Sequence, residues 1–130
     1  MRTNGSGENP RSDHPEIEER LAELGLLDDP EFVADALRAF LSDGEETIAR
    51  LQTAVLETHS PPTCEQAGHR LKGASLNIGA ERLGTLARQL EELGRAGDLS
   101  RAPSILADLE TEFASVRAAV RRLIERANAA

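Results

Sequence analysis

Apolar residues recur every three or four positions along most of this chain, which predicts a series of amphipathic helices. The longest stripe in the first half consists of Val33, Ala36, Leu37, Phe40, Leu41, Ile48, Leu51 and Val55. The most regular stripe lies near the end and consists of Ile105, Leu109, Phe113, Val116, Val120, Leu123 and Ala127. Alternating runs of β-branched residues, which would indicate strands, are missing from the sequence. The pattern therefore predicts an all-α fold.

Capping residues place the first two helices. Residues 15–24 are predicted to form a short amphipathic helix, and Asp29 followed by Pro30 is typical of an N-cap and a first helical position. The apolar phase of the second helix continues through Gly44 without a reset, which favours one long helix. A break into two helices at residues 42–44 is the alternative.

Three further helices are predicted to follow a break at residues 61–63, Pro-Pro-Thr. The third helix ends at Gly79, the fourth has its apolar stripe over residues 83–93, and the last begins after a turn at residues 98–100. Four long apolar faces joined by short loops predict an antiparallel four-helix bundle. The short first helix is predicted to cover one end of that bundle.

The polar N-terminus is predicted to lie outside the bundle. Residues 1–14 contain Gly, Ser, Asn and Pro and no apolar stripe, so we expect a disordered tail in which His14 is inert. The remaining residues, 15–130, have the length of one domain with a single core. Another histidine, His59, is expected only to complement the dipole of the second helix at its C-terminal end.

Composition and charge exclude several classes of function. The net charge of −8 makes nucleic acid and anionic membrane surfaces poor partners. The sequence has no long apolar run, no signal-peptide pattern, no glycine-rich nucleotide loop and no Cys/His cluster with metal spacing. The single cysteine, Cys64, precludes an internal disulfide and is expected to be a small buried hydrophobe. We therefore expect a cytoplasmic protein with no metal site and no ATP site.

The third helix presents a histidine on its outer face. Its buried stripe is predicted to consist of Cys64, Ala67, Leu71, Ala74 and Ile78. His69 points away from that stripe, with Lys72 at i+3 and Gly73 at i+4 on the same outer face. Lys72 is the one lysine in a chain with fourteen arginines. Its movable ammonium suits a phosphoryl group that arrives and leaves better than a rigid guanidinium does.

Glu65, Gln66 and Leu76 share this outer face. Gly73 in a helix interior costs about 1 kcal/mol relative to alanine, which suggests that a partner must come close. Leu76, at i+7 from the histidine, is predicted to be an exposed apolar contact for that partner, with Glu65 as a further docking residue. Gln66 is a candidate for orienting the imidazole or the phosphoryl oxygens.

Residues 68–75, Gly-His-Arg-Leu-Lys-Gly-Ala-Ser, followed by Gly79 and Ala80, resemble the signature of histidine-containing phosphotransfer (HPt) domains. The resemblance in the motif covers about residues 64–97, and the flanking helices fit the same fold over about 30–127. A small departure is Ala74, because two small hydroxyl residues often stand together at this point in the family.

The resemblance implies that His69 is the phosphorylated residue, that Lys72 supports the phosphoryl group and that Gly73 leaves room for it. The implied partners are receiver domains of response regulators and hybrid histidine kinases. A receiver phosphoaspartate, or a kinase, phosphorylates the histidine, and a second receiver aspartate accepts the group. The Mg²⁺ belongs to the receiver, so the chain is expected to be a phosphoryl carrier without a cofactor. We also expect a monomer, because the apolar stripes are used within one bundle.

Two alternatives stay open at the level of sequence. A non-catalytic helical interaction module, such as a pseudo-phosphotransfer scaffold, would not need His69 for binding. The phosphoacceptor domain of a chemotaxis-type kinase would share the bundle and the histidine. A histidine-kinase dimerisation helix is disfavoured, because Arg70 follows the histidine where an acidic residue is expected. A metal-binding bundle would need inward-facing His/Glu pairs that the pattern lacks.

Overall fold

Residues 14–129 are described by a computed structural model, and helices dominate them. The helices are α1 (Pro15–Glu23), α2 (Pro30–Gln52), α3 (Pro61–Asn77), α4 (Glu81–Ala96) and α5 (Ala102–Ala129). A π-helical turn, Thr53–Glu57, continues α2. Strands are absent from the described residues, so the predicted all-α fold is confirmed. In the same residues, no helix combines the length and the apolarity that crossing a membrane requires.

The second helix begins at the predicted cap, whereas α3 already begins at Pro61, inside the predicted break, because proline fits the first position of a helix. The Asp29 carboxylate accepts a hydrogen bond from the Phe32 N–H at 3.1 Å, which satisfies one of the free donors at the start of α2. The Ser60 hydroxyl accepts from the Thr63 N–H in the same way at the start of α3. Gly79 has a φ of 86°, and this left-handed conformation turns the chain from α3 into α4.

The second helix runs unbroken through Gly44, so the alternative of two helices divided at residues 42–44 is wrong. Gly44 is buried against α5, where a Cβ would lie 2.8 Å from Cε1 of Phe113. The Phe113 ring also lies 6.3 Å from the ring of Phe40, measured between centroids. The ring thus occupies the space of the missing side chain, which explains why a residue unfavourable to helices stands here.

The four long helices form the predicted antiparallel bundle around one apolar core. Both α2 and α4 pack against α3 on one side and α5 on the other. The most deeply buried side chains come from all four helices and include Leu37, Leu51, Leu71, Leu83, Leu90, Leu109 and Val116.

The short helix α1 closes one end of the bundle. Ile17 and Leu21 join the core, whereas Leu24, the last residue of the predicted helix 15–24, is 43% exposed because α1 ends at Glu23. The helix lies against the turn between α3 and α4, since a Cβ on Gly79 would lie 2.7 Å from the Glu16 carbonyl oxygen.

His14 takes part in the packing of α1. Its Nε2 lies 2.8 Å from the Ser115 hydroxyl oxygen of α5, its Nδ1 lies 3.2 Å from Glu16 Oε2, and its side chain is 11% exposed. The prediction that His14 belongs to a disordered tail is therefore wrong. The contact joins residues 101 positions apart, so no local pattern reports it. The rest of the predicted tail, residues 1–13, lies outside the described residues.

The α3 and α4 backbones approach closely because two glycines leave no side chain between them. A Cβ on Gly68 would lie 2.8 Å from the backbone nitrogen of Glu91, and a Cβ on Gly94 would lie 2.5 Å from that of Glu65. This close packing brings Glu91 of α4 to the outer face of α3.

Candidate functional site

His69 faces solvent, as the helical periodicity predicts, and its side chain is 69% exposed. The opposite face of α3 is buried, with Cys64 and Leu71 at 0% and 1% exposure. Burial raises the pKa of the Cys64 thiol, whose Sγ donates to the Leu90 carbonyl oxygen. Cys64 is therefore a buried part of the core, as expected.

The imidazole of His69 is held on one side by Glu91. Nδ1 lies 2.8 Å from Glu91 Oε2, and the Glu91 side chain is only 4% exposed. An ionised carboxylate can only accept hydrogen bonds, so Nδ1–H is the donor. In the neutral ring this arrangement leaves the lone pair on Nε2 free.

Lys72 binds the other oxygen of the same carboxylate. Its Nζ lies 2.7 Å from Glu91 Oε1, and its side chain is 25% exposed. The hydrogen bond from Lys72 is the main reason that the pKa of Glu91 lies below its usual range. The hydrogen bond from His69 adds to this effect, and burial opposes it. The ammonium is therefore held beside the imidazole by a charged carboxylate.

Arg95, one turn after Glu91 on α4, extends this network. Its Nη2 lies 3.1 Å from Glu91 Oε2, and its Nε lies 3.1 Å from Glu65 Oε2. Glu65, a predicted docking residue, is thus already paired across the interface between α3 and α4. The Glu91 carboxylate therefore contacts three basic side chains, those of His69, Lys72 and Arg95.

Gly73 and Leu76 lie on the outer face with His69, and they differ in whether they contact neighbouring residues. A Cβ on Gly73 would have no atom within 4 Å, so the space above it is open. Leu76 is 48% exposed. Its Cδ2 packs against Gly84 of α4, and a Cβ on Gly84 would lie 2.7 Å from it. It also lines a shallow pocket with Glu16, Glu19, Arg20, Glu23, Gly79 and Glu81. One side of Leu76 is thus anchored on α4, and the other side is open.

Gln66 is exposed, and it lies on the opposite side of His69 from Lys72 on the outer face of α3. It lines a shallow pocket with Arg50, Thr63, Ala67 and Arg70. Within the described residues, Gln66 makes no hydrogen bond to the imidazole, whose Nδ1 is bound by Glu91. A role for Gln66 toward phosphoryl oxygens stays a prediction.

Sequence reasoning missed Glu91 and Arg95. A signal was present for Glu91, because it follows Ala87 by four positions and therefore falls on the apolar stripe of α4. An acidic residue on such a stripe is unexpected unless a partner compensates it. Periodicity does not supply the partner, because 22 positions and a turn separate Glu91 from His69.

Comparisons with known proteins point to one family. The family model of the Hpt domain matches residues 35–126. The crystal structure of histidine-containing phosphotransfer protein B from Pseudomonas aeruginosa PAO1 is 33% identical, with a TM-score of 0.77, and the match covers 83% of this chain and 92% of that one. Histidine-containing phosphotransfer protein 2 from Arabidopsis thaliana is 28% identical over an alignment of 107 residues, and the match covers 78% of this chain and 68% of that protein. A solved structure from rice, 21% identical with a TM-score of 0.72 over 85% of this chain and 81% of that one, supports the fold alone. The family model and the Pseudomonas aeruginosa structure confirm the resemblance to HPt domains.

Proposed function

Because this chain belongs to the Hpt domain family, we propose that it carries a phosphoryl group on His69 between receiver domains of a phosphorelay. His69 accepts the group from a receiver phosphoaspartate, or from a kinase, and passes it to the receiver aspartate of a response regulator. One observation carries the proposal. The imidazole is 69% exposed while the buried Glu91 holds its Nδ1, so that Nε2 is the nitrogen offered to a partner.

The transfer is an attack of Nε2 on phosphorus. The Nε2 lone pair forms the N–P bond, while the P–O bond to the receiver aspartate breaks and its electron pair leaves with the carboxylate. The ring keeps its hydrogen on Nδ1, so it becomes a cation when it is phosphorylated. Glu91 Oε2, 2.8 Å from Nδ1, stabilises that positive charge. Transfer to the next aspartate reverses these bond changes.

Lys72 neutralises part of the charge on the phosphoryl group. Its ammonium already lies beside the site on a flexible side chain, which allows it to move toward a group on Nε2. A hydrogen bond between charged groups of this kind contributes about 1.5–3 kcal/mol. The Mg²⁺ of the partner receiver supplies further positive charge, so the chain itself needs no cofactor.

The receiver docks over Gly73 and Leu76. The open space above Gly73 accommodates the partner, and the exposed side of Leu76 offers an apolar contact. Carboxylates around Leu76 favour a basic edge on the partner, and Glu65 borders the docking face on the α4 side. Gln66 offers its amide hydrogens to the phosphoryl oxygens from the other flank.

In this proposal the chain is a cytoplasmic monomer that acts as a phosphoryl carrier without an ATP site. Its partners are receiver domains, and its net charge of −8 disfavours nucleic acid and anionic membranes.

The test is to incubate the protein with a receiver domain phosphorylated by a small acyl phosphate and to locate the label by mass spectrometry. The wild-type protein should be labelled on His69, and His69→Ala should take no label. His59→Ala is the control and should be labelled at the wild-type rate. Lys72→Ala should be labelled about 10- to 150-fold more slowly. Full labelling of the His69→Ala protein would contradict the proposal.

A further inference from the structure

We propose that Arg95 is a positioning residue that takes over the buried Glu91 carboxylate when Lys72 turns to the phosphoryl group. This inference rests on the proposed phosphotransfer at His69. Its consequence is that Glu91 keeps its charge, and its hydrogen bond to the imidazole, throughout the transfer.

Two hydrogen-bond acceptors compete for the Lys72 ammonium once His69 is phosphorylated. In the structure its Nζ lies 2.7 Å from Glu91 Oε1. A phosphoryl group on Nε2 is a second acceptor, on the other nitrogen of the ring, and it carries about two negative charges. When the ammonium moves to that group, Oε1 loses its charged partner although the Glu91 side chain is only 4% exposed. A buried carboxylate oxygen without a charged partner raises the free energy of the folded protein.

Arg95 is placed to replace the lost contact. Its Nη2 already lies 3.1 Å from Glu91 Oε2, from a position four residues further along the same helix. The guanidinium is a planar fork of N–H donors that fits both oxygens of one carboxylate. The Arg95 side chain is 60% exposed, so it has room to turn from one oxygen to both.

The competing explanation is that Arg95 only ties α3 to α4. Its Nε binds Glu65 Oε2 at 3.1 Å, so its loss would loosen that contact even without any effect on Glu91. The two explanations differ in how they depend on the charge of Glu91. If Arg95 compensates that charge, replacing Glu91 with neutral glutamine removes the need for it.

The test is a double-mutant cycle on the rate of transfer from a phosphorylated receiver to the full chain. We expect Arg95→Ala to slow transfer about 3- to 10-fold at saturating receiver, with an apparent KM and a melting temperature close to those of the wild type. Arg95→Lys should restore part of the rate, because it keeps the charge. In a Glu91→Gln background, Arg95→Ala should change the rate by less than about twofold.

Arg82→Ala is the matched control for this cycle. Arg82 is also on α4, is 67% exposed and places its Nε 3.6 Å from Glu112 of α5, so its loss should leave transfer unchanged. Equal slowing by Arg95→Ala in both backgrounds would overturn the inference, and so would a wild-type rate for Arg95→Ala alone. If the wild-type protein takes no label on His69, the proposed function fails together with this inference. When the wild-type protein is labelled, the outcomes of the cycle bear on Arg95 alone.

Discussion

Replacing Gly73 with glutamine separates the stability of α3 from the access to His69. A Cβ at this position has no atom within 4 Å, so the new side chain enters open space without a clash. Glycine costs a helix interior about 0.8–1 kcal/mol relative to alanine, and glutamine is a good helix former. We therefore expect Gly73→Gln to raise the free energy of unfolding by about 0.5–1 kcal/mol. For a domain of this size, the melting temperature should rise by about 2–5 °C.

The same substitution should slow phosphoryl transfer. Gly73 lies one helical turn from His69 on the outer face, so a glutamine side chain occupies space that an incoming receiver needs. We expect a loss of about 10- to 100-fold in rate, because misplacing reacting atoms by about 1 Å has effects of this size. The rate is measured from the label transferred by a phosphorylated receiver, and stability is measured by thermal melting followed by circular dichroism.

Two further variants control for added bulk and for helix substitution. Ala118→Gln adds the same side chain at an exposed position of α5 and should leave transfer unchanged. Gly68→Ala places its Cβ 2.8 Å from the backbone nitrogen of Glu91, so it should destabilise the protein by about 1–3 kcal/mol, unlike Gly73→Gln. Transfer at the wild-type rate by a folded Gly73→Gln protein would refute the reasoning that Gly73 keeps this surface open for a partner.

Docking, acid stability and assembly can each be tested by one measurement. Leu76→Gln should weaken receiver binding about 5- to 30-fold in a titration. Leu56→Gln is the control and should leave binding unchanged, because Leu56 is exposed to a similar extent, 54% against 48% for Leu76, but lies outside the docking face. Equal effects of the two substitutions would place the docking surface elsewhere. The pKa of Glu91 is lowered in the folded protein, chiefly by the hydrogen bond from Lys72, so its charge contributes stability that is present at neutral pH and is lost as the pH falls from the ordinary pKa of a glutamate through the lowered one. Glu91→Gln should therefore flatten the decrease of the unfolding free energy with acid, and an unchanged slope would argue against this role. Light scattering at micromolar concentration should give the mass of a monomer, and a stable dimer would contradict that expectation.

The outward position of His69 could be predicted because the face of a helix is a local property. Spacing relative to Leu71 and the rest of the buried stripe is sufficient to orient each side chain of α3. The same reasoning predicts the continuity of α2 through Gly44. It does not predict that the Phe113 ring fills the space beside that glycine, since α5 provides the ring.

The part of the site that α4 contributes could not be predicted in the same way. The hydrogen bond between Glu91 and His69 depends on how closely α3 and α4 pack. Gly68 allows that close approach, but the sequence does not say which helix packs against Gly68. The contact between His14 and Ser115 is of the same kind, because it depends on where α1 lies across the bundle. Sequence periodicity orients side chains within a helix, whereas pairing between helices depends on tertiary packing.

Phosphorylation of Nε2 of His69 is tested most directly by NMR of the phosphorylated protein with ¹⁵N-labelled histidine. In the structure Nδ1 lies 2.8 Å from Glu91 Oε2, which leaves Nε2 as the free nucleophile. We expect one of the three histidine rings to show coupling between ³¹P and Nε2, with the hydrogen retained on Nδ1, and we expect this signal to be lost in His69→Ala. Coupling of phosphorus to Nδ1, or a signal that persists in the His69→Ala protein, would contradict this mechanism.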